Sequence, residues 1–341
     1  MPMKQKCSAR PFLFPILVVV VWMLSFSSPV EAAPVVQIPD VSDRLQTILQ
    51  DPDRSNKYRY PTDLTRGILP KGIHSHNDYW QDVPFYKALA YGAISIEADV
   101  WFVSGKLYLG HDTGALTSAR TLSGLYIEPL LSVLRQANPP NPASPSEPTF
   151  RGVFDRDTEQ TLYLFIDFKT EPSEGTLKAV MGELEPLRSA GYLTTWYQSN
   201  DSIVTRPVTA VGTGKMNLES VLGQGATRDL FYDGPLFNIT FENFTENAKP
   251  SITPVCTGQF TAAFGQVIRT DFFERNQTAL GVLRDQLKAA HDRKIKVRYW
   301  DTPGWPIGTR NYIWRTLVNE GLDLLNFDDP EGVATFWEGR G

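Results

Sequence analysis

The chain has 341 residues and a formal net charge of −5 at pH 7, with 21% charged residues. A mildly acidic chain without a basic block is not expected to bind nucleic acid, although it is compatible with a small anionic substrate held by a metal. After the first 32 residues, no stretch is apolar for long enough to span a membrane.

The first 32 residues have the pattern of a secretory signal peptide. Three basic residues precede an apolar run from Phe12 to Leu24, and small residues follow up to Ala32. Cleavage after Ala32 removes three basic residues and Glu31, so the net charge moves from −5 to −7. An uncleaved anchor is the alternative, but the run contains Pro15 and is short of the about 20 residues that a spanning helix needs. We therefore expect secretion, with anchoring in a secretory-pathway membrane as the alternative.

The glycosylation sequons agree with a secreted protein, and the cysteine content is unusual for one but is allowed in a chain large enough to rely on its core. Cys7 leaves with the signal peptide, so the mature chain keeps Cys256 and no internal disulfide. The sequons begin at Asn200, Asn238, Asn243 and Asn276. Together with the signal peptide they predict a glycoprotein. The sequence does not determine the oligomeric state.

Residues 33–67 show little apolar periodicity and are interpreted as a lead-in to one domain at 68–339. The first predicted elements are a strand at Gly72–His76, a helix from Asp82 to Tyr91, a strand at Ile94–Val100 and an extended excursion that turns at Ser104-Gly105. Asp82 as a cap, Pro84 in the first turn and Gly92 as the stop indicate the helix.

The rest of the domain continues the alternation of strands and helices. The predicted elements are helix Leu125–Gln136, strand Leu162–Phe168, helix Gly175–Ala190, strands Val208–Gly212 and Phe231–Phe237, helix Asn276–Arg293, strand Ile295–Trp300, helix Thr309–Asn319 and strand Leu322–Phe327. Segment 138–160 is a proline-rich loop, and 239–275 allows no clear prediction. The alternation predicts a parallel sheet, but periodicity alone does not choose between a barrel and an open doubly wound sheet.

Chemically active side chains are densest between residues 74 and 112, where three of the four histidines lie. Strand alternation places Glu97 and Asp99 on one face, about 6–7 Å apart. Two ionised carboxylates this close on a half-buried strand are costly unless a divalent cation binds them. His76 and His111 follow flanking strands and are the candidate acid and base. The alternative is that the histidines are structural.

Further candidates end later strands, as functional residues do in barrels. Asp167 is a candidate third metal ligand and Lys169 a candidate phosphate contact, whereas a structural Asp–Lys ion pair is the alternative. Carboxylate and amide oxygens favour Mg²⁺ or Ca²⁺. Trp300 is a candidate substrate contact, with rim packing as the alternative. His74 shares a strand face with His76 and is either a substrate contact or a structural residue.

Several motifs resemble those of phosphodiesterases. The segment S-H-N-D-Y from Ser75 to Tyr79 resembles S-H-N-T-Y of phosphatidylinositol-specific phospholipases C. Glu97-x-Asp99 followed by His111 resembles the metal ligands and second histidine of that family. It also resembles the E-x-D…H-D pattern of glycerophosphodiester phosphodiesterases and sphingomyelinase-D-like enzymes, and Asp167-x-Lys169 resembles their D/E-x-K strand end. From about Lys71 to Trp337 the chain resembles the fungal altered inheritance of mitochondria protein 6 family.

This resemblance implies a (β/α)8 TIM barrel of the phospholipase-C-like type. It implies that His76 and His111 form the catalytic pair. It implies metal coordination by Glu97, Asp99, Asp167 and Asn77. The chain departs from the pattern in lacking H-R-G and P-E-N-T, and Asp78 stands where the phospholipases have threonine.

The expected function is secreted, metal-dependent hydrolysis of a glycerophosphodiester or phospholipid head group. Transient contact with a membrane surface is part of this expectation. The alternatives are a non-catalytic lipid- or glycan-binding barrel and a secreted glycosidase with paired carboxylates.

Overall fold

The computed structural model describes residues 42–50, 60, 63–140, 142–143, 149–171, 174–239 and 246–339. The chain divides into two units, residues 1–59 and 60–341, and the first contributes helix Asp43–Gln50. The predicted signal peptide and the sequon at Asn243 lie outside the described residues. Within the described ranges, no helix is long and apolar enough to cross a bilayer.

The second unit is built on a closed barrel of eight parallel strands. In chain order the strands are β1 Lys71–Ser75, β2 Ala93–Val103, β3 Lys106–Leu109, β4 Leu162–Phe168, β5 Thr195–Tyr197, β6 Ser202–Val204, β7 Val208–Gly214, β8 Thr227–Arg228, β9 Leu230–Pro235, β10 Val255–Gln259, β11 Lys296–Trp300 and β12 Leu324–Phe327. The barrel order is β1, β2, β4, β7, β9, β10, β11 and β12. Pairing of β1 with both β2 and β12 closes the barrel, which decides against the open sheet.

The remaining strands lie outside the barrel. β3 pairs antiparallel with β2 through a turn in which Ser104 and Gly105 both have positive φ, as the predicted excursion requires. β5, β6 and β8 form a small separate sheet that the sequence analysis missed. Strands of two or three residues are too short to produce a detectable alternation.

Helices follow most barrel strands in the described part of the second unit. They span Tyr86–Ala90, Glu128–Ala137, Glu174–Glu183, Glu185–Ser189, Leu218–Leu222, Phe260–Phe264, Phe272–Arg275, Gln277–His291, Ile307–Asn319 and Pro330–Glu338. Short 3-10 helices occupy Asp78–Trp80, Thr113–Ala115 and Leu236–Asn238, and a π-helix occupies Ser123–Ile127. The predicted (β/α)8 barrel is therefore confirmed.

The predicted start of the first helix of this unit is wrong. The helix begins at Tyr86, and Asp82 does not cap it. The backbone N–H of Phe85 donates to Asp78 Oδ2 at 2.6 Å, and Phe85 has a φ of 64°. A left-handed residue cannot continue an α-helix. A tertiary hydrogen bond therefore overrides the local capping signal.

Alternate residues of the strands point into the barrel. His74 of β1, Glu97 of β2, Phe165 of β4 and Arg298 of β11 contact one another there. Their apolar neighbours, such as Ile73 and Ile96, belong to the buried hydrophobic core. The barrel interior is therefore polar where these four side chains meet, and the buried charges there need partners.

Candidate active site

Three carboxylates converge at the carboxyl end of the barrel, as predicted. β2 supplies Glu97 and Asp99, and the neighbouring β4 supplies Asp167 in register with Asp99. One ligand oxygen from each residue lies within 4.8 Å of the other two. Glu97 and Asp99 are buried, and Asp167 is half-buried. Parallel pairing of the two strands brings together residues 68 positions apart.

The carboxylates differ in how easily they ionise. Burial and the charges of Glu97 and Asp167 raise the pKa of Asp99 to about 7. Burial and Glu97 also raise the pKa of Asp167. Burial opposes ionisation of Glu97 too, but Arg298 and His76 outweigh it and hold the pKa of Glu97 well below its usual range. The cluster therefore concentrates negative charge that an additional cation would stabilise.

The unsatisfied oxygens of this cluster fit a metal site. Asp99 Oδ1 and Asp167 Oδ1 are buried and accept no hydrogen bond from a described residue. Buried polar atoms in folded proteins normally have hydrogen-bond partners. Two carboxylate oxygens without a partner in one cluster therefore indicate a site that binds a cation. An all-oxygen donor set suits Mg²⁺ or Ca²⁺. Glu97, Asp99 and Asp167 are the residues that would hold the ion.

Lys169 lies beside the same carboxylates. Its Nζ is 2.7 Å from Asp167 Oδ2 and 2.9 Å from Asp99 Oδ2. The Asp–Lys ion pair that the sequence offered as an alternative is therefore present, and it includes a second aspartate. Burial lowers the pKa of Lys169, but the two carboxylates outweigh it and the net direction is upward. Lys169 and Arg298 supply two positive charges against three carboxylates, so one negative charge is uncompensated when all three are ionised.

His76 is held by a carboxylate on one side and faces the cluster on the other. Its Nδ1 lies 2.7 Å from Asp328 Oδ1, and its Nε2 lies 3.6 Å from Glu97 Oε2. Burial lowers the pKa of His76, but Glu97 and Asp328 outweigh it and raise the pKa overall. The side chain is 24% exposed and so is accessible from the mouth. An imidazole oriented in this way suits proton transfer.

His74 lies next to Glu97 inside the barrel, with its Nε2 3.4 Å from Glu97 Oε2. Its Nδ1 lies 2.7 Å from Ser95 Oγ, and its Nε2 accepts a hydrogen bond from Arg298. Burial and Arg298 lower its pKa to about 3, so the ring is neutral and Nδ1 carries the proton. The ring has 0% exposure. This burial agrees with the structural alternative for His74, and its role as a substrate contact stays a prediction.

Asn77 adjoins the carboxylates through a tyrosine. The Tyr79 hydroxyl lies 2.7 Å from both Asn77 Oδ1 and Asp99 Oδ2, and its single proton serves one of them at a time. Asn77 adopts a left-handed conformation with φ 48°, which asparagine tolerates better than most residues. The predicted role of Asn77 as a metal ligand stays a prediction.

His111 and Trp300 lie on the rim. The backbone N–H of Gly110 donates to the Asp99 carbonyl at 3.3 Å, which fixes the start of the His111 loop at the mouth. The His111 ring packs on Trp80 with centroids 5.2 Å apart. Trp300 ends β11 and is 36% exposed. These positions are compatible with the predicted roles in proton donation and substrate contact, which stay predictions.

The sequence analysis missed Arg298 and the partner of His76. Arg298 Nη1 lies 3.5 Å from Glu97 Oε2 across the barrel, although no basic residue lies within five positions of Glu97 in the sequence. Asp328 follows the last strand of the barrel and is more than 200 positions from His76 in the sequence. A charged residue between apolar neighbours in K-V-R-Y-W was the available signal for Arg298.

Comparisons with known proteins place this chain among phosphodiesterase-like proteins. A family model described as AIM6-like phosphodiesterase domain matches residues 62–233. An altered inheritance of mitochondria protein 6 homolog from Arthroderma benhamiae is 48% identical over 317 residues, covering 91% of this chain and 98% of that protein. Altered inheritance of mitochondria protein 6 from Saccharomyces cerevisiae is 32% identical, covering 78% and 70%. The predicted family resemblance is thereby confirmed.

Solved structures are also similar to this chain. Phosphatidylinositol-specific phospholipase C from Listeria monocytogenes is 10% identical, with a TM-score of 0.44, and the match covers 80% of this chain and 94% of that one. A glycerophosphoryl diester phosphodiesterase from Parabacteroides distasonis is 13% identical, with a TM-score of 0.34, and the match covers 82% and 88%.

Proposed function

This chain belongs to the AIM6-like phosphodiesterase family, and we propose that it is a metal-dependent hydrolase of phosphoric diesters. The substrate class that we propose is a glycerophosphodiester or a phospholipid head group. One observation carries the proposal: buried carboxylate oxygens without hydrogen-bond donors lie beside a carboxylate-held histidine at the mouth of the barrel.

The residues of the site divide into a metal-binding set and a proton-transfer set. Glu97, Asp99 and Asp167 would hold Mg²⁺ or Ca²⁺, which supplies positive charge to offset the charge of a phosphodiester. His76 Nε2 accepts a proton from the nucleophile. Asp328 orients the ring through Nδ1 and stabilises the imidazolium that results.

The remaining roles belong to residues on the rim. His111 donates a proton to the leaving oxygen, and its packing on Trp80 limits the orientations of its ring. The Lys169 ammonium group is bound by Asp99 and Asp167. It would contact a phosphate oxygen once a metal ion neutralises the negative charge of these two carboxylates. Trp300 contributes an apolar contact to the leaving group.

We also propose that the protein enters the secretory pathway. The pattern of residues 1–32 supports this, and so does the exposure of the sequon residues Asn200, Asn238 and Asn276. Secretion would give the site access to extracellular or membrane-derived phosphodiesters. Transient contact with a lipid surface is part of the same proposal.

The central experiment is a metal-dependent screen with purified protein. Glycerophosphodiesters, lysophospholipids and inositol phospholipids are offered with Mg²⁺, with Ca²⁺ or with EDTA, and the phosphorus-containing product is identified by ³¹P NMR. A cyclic phosphate identifies a substrate hydroxyl as the nucleophile, and a monoester without a cyclic intermediate identifies water. We expect activity that EDTA suppresses.

Variants of the two candidate histidines complete the test. His76→Ala and His111→Ala should each reduce turnover by about 100-fold or more, the range expected for loss of one general acid or base. Asn311→Ala, on an outer helix, is the control and should keep full activity. Ligand binding without turnover would support the non-catalytic barrel instead, and chelator-resistant hydrolysis of glycosides would support the glycosidase.

A further inference from the structure

A second group of polar side chains lies in the barrel on strands that the metal-binding cluster does not use. Thr213 of β7 is in register with Asp167 of β4, so the polar row continues past the cluster. Thr213 Oγ1 donates to Asp233 Oδ2 at 2.7 Å, and Thr257 Oγ1 donates to Asp233 Oδ1 at 2.6 Å. In the strand order of the barrel, β9 and β10 lie across from β1 and β2. We call Asp233 and these two threonines the β9 wall.

The β9 wall offers hydrogen-bond acceptors to a ligand. Each threonine spends its one hydroxyl proton on Asp233, so Thr213 and Thr257 have only lone pairs left. Burial raises the pKa of Asp233 to about 6 against the opposing effects of Arg298 and the threonines, so the carboxylate is ionised at neutral pH. An ionised carboxylate has lone pairs beyond the two that the threonines use. All three side chains are half-buried, and such a surface suits a group that donates hydrogen bonds.

A buried carboxamide on the last strand adds an acceptor without a partner. Asn326 is 3% exposed, and its Oδ1 accepts no hydrogen bond from a described residue. β12 pairs with β1 so that Asn326 is in register with His74, whose ring contacts Glu97 inside the barrel. Residues in register on parallel strands point to the same face, so the Asn326 side chain also points inward. A buried acceptor without a donor indicates a ligand that supplies one.

Arg298 connects this carboxamide with the β9 wall. Its Nη1 donates to His74 Nε2, beside Asn326, and its charge favours ionisation of Asp233. Arg298 also pairs with Glu97 at 3.5 Å. The negative charge of Asp233 is therefore partly compensated, and Asn326 contributes a neutral dipole. This combination favours a neutral donor, such as a hydroxyl group, over a cationic one.

We propose that Asp233 and Asn326 bind hydroxyl groups of the substrate's head group and so determine which phosphodiester is accepted. A head group with hydroxyls, such as glycerol, would donate to both. The quaternary ammonium of choline has no N–H or O–H group and would leave these acceptors without a donor. This inference rests on the proposed function for the position of the phosphate, but its test measures binding and needs no turnover.

The test is calorimetric titration of the full chain in Mg²⁺ with glycerol 1-phosphate and with propyl phosphate, which differ only in hydroxyl groups. Glycerol 1-phosphate should bind about tenfold or more tightly, because the propyl ester leaves buried acceptors unpaired. Phosphocholine should bind as weakly as propyl phosphate. Equal affinities for the first two compounds, or no binding of either at millimolar concentration, would overturn the proposal. Tighter binding of phosphoethanolamine than of glycerol 1-phosphate would also overturn it, in favour of an ammonium site.

Two variants locate the preference in the barrel. Asp233→Asn and Asn326→Leu should each reduce the preference for glycerol 1-phosphate over propyl phosphate to about threefold or less. Asp285→Asn makes the same change on an exposed position of the outer helix Gln277–His291, and it should keep the wild-type preference. Asn326→Leu removes an acceptor that no described residue uses, so it keeps the test available if Asp233→Asn misfolds.

Two results separate this inference from the proposed function. A wild-type preference in both Asp233→Asn and Asn326→Leu would contradict the assignment, even if the protein hydrolyses diesters. Preferential binding of glycerol 1-phosphate that both variants lose, without hydrolysis of any diester, would support the assignment and contradict the proposed function.

Discussion

Two buried aspartates near the mouth, Asp78 and Asp99, have opposite surroundings. Both have 0% exposure. Asp78 accepts hydrogen bonds from Ser75 Oγ at 2.7 Å, the Phe85 N–H at 2.6 Å and Tyr126 Oη at 3.0 Å. Asp99 has one oxygen that accepts none from the described residues. The first carboxylate is satisfied by its own fold, and the second is not.

The comparison shows that hydrogen bonding distinguishes Asp78 from the candidate metal ligand Asp99 better than their pKa values do. Burial raises the pKa of Asp78 to about 6, and burial with two neighbouring acids raises that of Asp99 to about 7. The directions are the same and the values are close. The Asp78 carboxylate anchors the Phe85 turn and Tyr126.

The largest effect on stability is expected at Asp78. Asp78→Ala leaves three buried donors without an acceptor, so the free energy of unfolding should fall by about 3 kcal/mol. Urea denaturation measures the difference. Asp82→Ala is the control in the same loop, since the Asp82 side chain is 93% exposed, and its effect should stay within about 0.5 kcal/mol. Equal losses of stability in Asp78→Ala and Asp82→Ala would show that the hydrogen bonds of Asp78 do not distinguish it as a structural residue.

Removal of the Asp99 carboxylate should stabilise the metal-free protein, whereas removal of the Asp78 carboxylate should destabilise it. Its pKa rises from 3.8 to about 7 on folding, so the folded protein keeps a proton that the unfolded chain releases between those values. The free energy of unfolding of the metal-free protein therefore falls as pH rises from about 4 to about 7. Asp99→Asn removes this contribution and, above neutral pH, should be more stable than the wild type by on the order of 2 kcal/mol.

Urea denaturation in EDTA at several pH values measures this difference. Asp78 and Asp233, whose pKa values burial also raises to about 6, are present in both proteins and cancel in the comparison. Added Mg²⁺ should stabilise the wild type and leave Asp99→Asn unchanged, because the variant lacks a ligand. A variant that is destabilised at all pH values would show that Asp99 is structural, as Asp78 is.

The smallest effect is expected at a glycine next to the metal-binding cluster. Gly214 has a φ of 66°, and a Cβ there would lie 1.8 Å from Asp167 Oδ1. Gly214→Ala should cost about 1 kcal/mol of stability for its left-handed backbone and lower Mg²⁺ affinity about tenfold, because the carboxylate must turn away.

Gly105→Ala separates these two effects. Gly105 has a φ of 82°, and a methyl group added there would meet no described atom within 4 Å, so alanine carries the backbone cost alone. Calorimetric titration with Mg²⁺ should give wild-type affinity for Gly105→Ala. If both alanine variants bind Mg²⁺ equally, Asp167 does not need its present orientation to hold the ion.

Local patterns predicted much of the fold and part of the site. The apolar run of β4 was predicted with its observed bounds, Leu162–Phe168, because both faces of that strand are buried. Alternation in β2 predicted that Glu97 and Asp99 share a face. The same approach failed for β10, which lies in the segment without a clear prediction, because a five-residue strand with a central threonine has little apolar pattern.

The sequence by itself determined the alternation of strands and helices, the face that carries the carboxylates and the family motifs, because each depends on near neighbours in the chain. Only the tertiary structure decided that the sheet closes, that Arg298 compensates Glu97 and that Asp328 holds His76. Barrel closure brings β1, β2, β11 and β12 together across more than 200 residues. Barrel closure determines which residue becomes the partner of a buried charge, and spacing along the chain does not predict that partner.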